Sequence, residues 1–215
     1  MDYREFLRLL KGENSRAILF EPFPTRRIVT QVIWRGGDEL WDRALCRTET
    51  LIEFYAYIRS DVAVIEPRGE LHEALRAKLP EGMRFVVVSD DPDELRAADD
   101  SELVCALATR GERLRVEKPL ICLARENEAP AETYRRSEGF DAVYLSSDAE
   151  KYIGKKPILG GIGTDFINTA GPLDIYSRVR ELAKTPGWAV GTGGLREPIE
   201  YLGFISMLGI YDKLL

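Results

Sequence analysis

Short, nearly continuous apolar runs recur along the whole chain at intervals of a few tens of residues, and they constrain the fold more than any other feature. RAILFEPF, DVAVIEP, MRFVVVSDDP, EKPLICLARE, FDAVYLSS, KPILGG and WAVGTG start near positions 18, 62, 84, 119, 142, 157 and 188. They do not alternate apolar with polar residues, as a half-solvated antiparallel strand would. Continuous apolar runs belong to strands buried on both faces, which means a parallel sheet covered by helices. Between the runs lie stretches with helical spacing. Phe6, Leu9 and Leu10 fall near one face of a helix over 2–11. Leu51, Phe54, Tyr55 and Ile58 share another face in a helical region over about 39–59, and Leu71, Leu75 and Leu79 form a stripe over 70–79. Ile175, Val179 and Leu182 line up in a helix over 172–184, with Pro172 in its first turn. A helix is expected over about 131–138, and one or two close the chain after residue 195.

This alternation predicts an α/β fold. Seven strands are secure in the pattern. The stretch 93–110 reads as mostly helical, but its LVCALA portion fits a buried strand equally well, because periodicity does not separate the two. With 215 residues, one domain over 1–215 is expected. A closed eight-stranded barrel takes about 250 residues. The expectation is therefore a contracted TIM-barrel-like (β/α) fold with eight regular units or fewer, and an open doubly wound sheet is its main competitor.

Composition narrows the chemistry. A net charge of −6 argues against general attraction to nucleic acid or an anionic membrane. No apolar run approaches the roughly 18 to 20 residues of a membrane span. Three widely spaced cysteines without a CxxC point to a reducing cytoplasm. His72 is the single histidine, so a His-rich metal site within one chain is excluded.

The last third, SEGFDAVYLSSDAEKYIGKKPILGGIGTDFINTAGPLDIYSRVRELAKTPGWAVGTGG, resembles the C-terminal part of the uroporphyrinogen decarboxylase superfamily, which includes the corrinoid-dependent methyltransferases. The shared pattern runs from a G-x-D-A strand through K-x-P-x-x-G-x-I and an I-x-x-x-V-x-E-L helix to a strand ending in small residues. YREFLRLLKGENSRAILFEPF is similar to the family's opening helix and first strand, and CRTETLIEFYAYIRSDVAVIEP to its second helix and strand. The resemblance implies a (β/α)8 barrel whose substrate enters at the C-terminal ends of the strands. Carried onto this chain, it places Glu21, Glu66, Ser89, Asp90, Cys122, Ser146, Gly161, Thr192 and Gly193 at that rim.

Two branches of the superfamily offer different chemistry. The decarboxylase carries an arginine-rich segment after its first strand, where this chain has Arg26 and Arg27 in FEPFPTRRIVTQ. Their planar forks suit ligand carboxylates. Where the decarboxylase has a histidine near its last strand, this chain has Thr192. The methyltransferases take zinc ligands from an H-x-C segment and a late cysteine, and zinc lowers a thiol's pKa by stabilising the thiolate. Cys122 falls at the H-x-C cysteine, Leu120 stands at the histidine, and Gly194 at the late cysteine.

The resemblance thus implies catalytic roles for Glu21, Glu66 and Asp90. It implies ligand-binding roles for Arg26, Arg27, Ser146, Gly161, Thr192 and Gly193, and a metal-binding role for Cys122. Each has a plain structural counterpart: solvation at the rim for Glu21, Arg26 and Arg27, core packing for Cys122, and helix capping for Asp90 and Asp91. His72 reads as a surface residue. The glycines of GGIGT and GTGGL suit tight turns as well as an anion, and GGIGT lacks the G-K-[ST] of a P-loop.

The main functional expectation is binding or turnover of a small ligand, with carboxylates among its groups, at the strand-end rim. Methyl transfer with a corrinoid protein and an altered metal site is the alternative. A non-catalytic partner subunit that keeps the fold is the third. The expected partners are the small molecule, a corrinoid protein or a second copy of the chain, with no nucleic acid and no membrane. The sequence leaves the cofactor unassigned and does not decide whether the protein is catalytic.

Overall fold

The computed structural model describes residues 2–13, 16–22, 28–29, 33, 44–65, 79–91, 93–94, 103–109, 117–125, 128–145 and 149–192; for 44–49 and 103–104 only the backbone is described. Seven strands form one parallel sheet: β1 (Val62–Ile65), β2 (Arg84–Val88), β3 (Leu103–Ala108), β4 (Leu120–Leu123), β5 (Ala142–Leu145), β6 (Ile158–Ile162) and β7 (Trp188–Thr192). Their order in space is their order in the chain. Every residue of β1, β4, β5, β6 and β7 is buried, which is what continuous apolar runs require of a sheet covered on both faces.

The helices are α1 (Tyr3–Leu9), α2 (Ala44–Tyr57), α3 (Pro130–Arg136), α4 (Thr164–Thr169) and α5 (Pro172–Ala183), with a 3₁₀ turn at Ala149–Tyr152. The stripe of α5 lies as its spacing predicts, with Ile175, Val179 and Leu182 all buried and the helix packed on β7. Among the described residues, no helix is long and apolar enough to cross a membrane.

The sheet curls through 234° into an incomplete barrel. An eighth strand segment extends it. Residues 18–20 run parallel to β7 through the Leu19–Val190 bridge, with Phe20 N–H donating to Val190 O at 2.9 Å and Val190 N–H donating to Ile18 O at 2.8 Å. The approach needs a bare backbone on β7. A Cβ built on Gly191 would lie 2.0 Å from the Phe20 carbonyl oxygen, so only glycine fits there. Going round the curl, the strands follow chain order and then meet residues 18–20, as in a contracted TIM-type barrel.

Between residues 18–20 and β1, no backbone hydrogen bond occurs among the described residues. Side chains cross this seam instead. Below it, Arg16 Nη2 holds both oxygens of the buried Asp61 carboxylate at 2.6 Å. Above it, the Tyr55 hydroxyl from α2 donates to Pro22 O at 3.3 Å and accepts from the Val64 backbone N–H. Helix α1 lies across the N-terminal ends of the strands. Asp2 N–H donates to Asp61, Tyr3 N–H donates to Gly82 O just before β2, and Gly12 beyond the other end packs against Gly187 just before β7. Its Phe6 ring meets Phe20 at 5.3 Å, which plugs that end with apolar surface.

The structure decides the reading left open within 93–110, where helix and buried strand fitted LVCALA equally well. LVCALA is strand β3, paired on both sides between β2 and β4. A six-residue buried strand and a turn and a half of buried helix have the same composition, and only the neighbouring strands decide between them. Leu71 and Leu75 of the stripe expected over 70–79, the start of the helix expected over 39–59, and the closing helices after residue 195 lie outside the described residues.

Candidate functional site

The C-terminal ends of the strands carry two polar clusters. The first joins residues from opposite ends of the chain. Glu21 ends the segment paired with β7, and Thr192 ends β7 itself. Thr192 N–H donates to Glu21 Oε2 at 3.0 Å, and the Thr192 hydroxyl shares a second, short hydrogen bond with Oε1. Backbone pairing between the two strands stops just before this point, and Pro22 has no N–H to offer the next rung. The Glu21 side chain takes over as the next rung of the ladder.

Both residues are fully buried. Burial pushes the Glu21 carboxyl up from 4.5 to about 8, against the lowering effect of the two Thr192 contacts. At neutral pH it is therefore a neutral acid. Tyr55 stands beside it, and its hydroxyl is also held well above the ordinary tyrosine range by burial and by the Glu21 charge. On the other side, the Tyr144 hydroxyl of β5 donates to Thr192 O. A line of protonated groups thus runs from the seam across β7 to β5.

The second cluster spans the ends of β2, β3 and β4. Asp90, two residues beyond β2, accepts from the backbone N–H and the hydroxyl of Thr109, which directly follows β3. The Thr109 carbonyl accepts from Arg125 Nε at 3.0 Å and from Arg136 Nη1 at 2.7 Å. Arg136 also forms a two-point pair with Glu128, at 2.8 and 2.6 Å. That pairing holds the Glu128 carboxyl down at about 2 and raises the Arg136 guanidinium above its ordinary value. Ser89 bonds Glu94, and Asp91 accepts from Asp93 N–H. The two aspartates read together as helix caps therefore divide: Asp91 caps the turn that follows, and Asp90 ties β2 to β3.

Cys122 lies in β4 beneath α3. Its thiol is buried against Thr133 O at 3.8 Å and is pushed up to about 11, mainly by burial. Among the described residues, no group of three or more His, Cys, Asp or Glu side chains is gathered as a metal would need. Among the described residues, Cys122 therefore has no companion donors with which to form a zinc centre. Gly161 lies within β6, opposite Gly191 of β7. Its φ is +89°, and a Cβ there would come 2.5 Å from Cζ2 of Trp188. The indole fills that space and donates from Nε1 to Gly160 O at 3.1 Å.

Of the residues singled out in the sequence, the fold brings Glu21 and Thr192 into contact and sets Asp90 in the other cluster. Glu66, Arg26, Arg27, Ser146 and Gly193 lie outside the described residues. Tyr55 stood out in the sequence only as part of an apolar stripe, although a tyrosine on a buried face needs a partner for its hydroxyl and so hints at a polar site. Thr109, Arg125, Glu128 and Arg136 carried no signal. Their network forms only when the ends of β3 and β4 meet.

No family model matches the sequence, and no curated protein matches it. Among solved structures, a methyltransferase from Methanosarcina mazei matches with a TM-score of 0.67 and 9% identity, over 97% of each chain. The fold is shared. At that identity the likeness concerns architecture from end to end.

Proposed function

We propose that this chain supports methyl transfer to or from a small molecule at the C-terminal ends of its strands, together with a corrinoid-bearing partner protein. The observation that carries the reading is the likeness over 97% of the chain to a solved methyltransferase. The superfamily resemblance of the last third points the same way. A corrinoid held by the partner would supply the methyl donor or acceptor.

Glu21 is the residue of this chain suited to the reaction. A neutral carboxyl at pH 7 can give its proton to the atom from which a methyl group departs, so that the departing atom keeps the bonding pair without becoming an anion. The Thr192 N–H and hydroxyl hold the carboxyl in place throughout. Glu66, Arg26, Arg27, Ser146 and Gly193 follow strands in the chain and are proposed contributors to the same face, with the arginines receiving ligand carboxylates. Cys122 does not fit a metal site on its described surroundings, and no step is routed through zinc.

The test combines the purified protein with cob(I)alamin and a panel of methylated amines, ethers and thioethers, and in reverse with methylcobalamin and free thiols. Product is read by mass spectrometry and cobalamin by absorbance. Turnover is expected for at least one class and is expected to fall by about 10²-fold or more in Glu21→Gln. An absence of turnover in both directions would discard the proposal and favour the non-catalytic partner, and equal rates in the variant would remove Glu21 from the reaction.

A further inference from the structure

We infer that Arg125 is an anion-binding residue of the strand-end rim that receives the carboxylate of a small ligand. It stands two residues beyond β4 and is exposed. Unlike most surface arginines, it is held at both ends of the residue. Its backbone N–H donates to Glu128 Oε2 at 2.9 Å, and its Nε donates to the Thr109 carbonyl at 3.0 Å. The guanidinium is thereby drawn along the rim from β4 towards the end of β3.

The neighbouring carboxylates are engaged elsewhere. Glu128 receives Arg136 through both of its oxygens and the Thr133 hydroxyl at 3.1 Å. Asp90 receives the Thr109 N–H at 2.6 Å as well as the Thr109 hydroxyl. Among the described residues, no carboxylate meets Nη1 or Nη2 of Arg125. With Nε tied down, those two nitrogens form the end-on fork of the guanidinium, whose parallel N–H groups match the two oxygens of one carboxylate.

Preorganisation is what separates this fork from an ordinary solvated arginine. A free side chain loses rotamer entropy when it binds, whereas here the loss accompanied folding. A single planar fork also suits a carboxylate better than a phosphate, which attracts further donors around its three oxygens. The inference deepens the proposed reaction by placing a receiver for a ligand carboxylate at the end of β4, and it rests on that reading for the choice of the strand-end face.

The test uses binding alone, with succinate, succinamide and inorganic phosphate as probes, followed by titration calorimetry and ligand-observed NMR. Succinate is expected to bind the wild-type chain saturably and succinamide not to bind. Arg125→Gln should weaken succinate by about tenfold or more, and Arg125→Lys, which keeps the charge but loses the fork, should fall between the two. Unchanged thermal midpoints in both variants will show that the fold is intact, as expected for an exposed side chain. Equal succinate affinity in wild type and Arg125→Gln would overturn the assignment. So would equal binding of succinamide, phosphate binding more tightly than succinate, or a wild-type chain that binds none of the probes. Succinate binding is read without cobalamin or turnover, so the carboxylate site and the methyl-transfer reading can fail separately.

Discussion

Among the described side chains, Glu21 couples fold and chemistry most directly, since one carboxyl completes a strand ladder and remains protonated at neutral pH. That state has a consequence for stability. In the unfolded chain the carboxyl loses its proton near 4.5, whereas in the folded chain it keeps the proton until about 8. The stabilisation is complete below 4.5 and is lost as pH rises towards 8, at about 1.4 kcal/mol per pH unit in the steepest region. Glutamine has the same shape, offers an acceptor to Thr192 N–H and an amide donor to its hydroxyl, and does not titrate. The difference in unfolding free energy between wild type and Glu21→Gln, from urea titrations at pH 5 to 9, should therefore shift against the wild type as pH rises to about 8 and level off above it. Parallel profiles would mean that Glu21 is ionised throughout. Cys122 gives a second readout at this scale. With its thiol near 11 and buried under α3, it should resist iodoacetamide at pH 8 in the native protein and react once denatured. Rapid native labelling would contradict the placement beneath α3.

At the scale of elements, the legible part of the fold was the part that repeats. Continuous apolar runs gave away parallel strands, and three- and four-residue spacing gave away α1, α2 and α5, because burial on both faces or on one stripe leaves a direct mark on composition. β3 was ambiguous because its mark is shared by a buried helix. The glycines of β6 were harder still. Read as rim turns, Gly160 and Gly161 instead lie inside the strand, and the purpose of Gly161 is supplied by a residue 27 positions later, Trp188, whose ring occupies the missing Cβ's place. No local pattern carries that information. Gly161→Ala should cost about 2 kcal/mol or more, from overpacking and from a left-handed φ that alanine disfavours. Trp188→Phe removes the part of the ring nearest that Cβ, so the alanine substitution should cost at least about 1 kcal/mol less in the phenylalanine background. Additive effects in urea unfolding would show that the indole is not what requires the glycine.

For the whole molecule, the outstanding matter is closure. Residues 18–20 are fastened to β7 by backbone bonds, but towards β1 the described contacts are an ion pair below and a tyrosine hydroxyl above. The Tyr55 oxygen stands between Pro22 O and Val64 N–H, so it serves two backbone groups that a closed ladder would have paired directly. The superfamily resemblance made a barrel legible, but a seam bridged by a side chain is a relation between α2, residues 18–22 and β1 that appears only once the chain has curled. The acid of the strand-end face lies at this same seam, so closure and the state of the site are coupled through Tyr55. Tyr55→Phe deletes one oxygen and leaves the ring to pack as before, stranding both backbone groups at a cost of about 1 to 3 kcal/mol. The loss should be local before it is global. In native-state hydrogen exchange, the Val64 amide should lose far more protection than amides in β5 and β6, because opening the seam does not require the rest of the sheet to unpair. A uniform loss of protection across all strands would instead mean that the curl opens and closes as one cooperative unit, with Tyr55 acting only as a core residue.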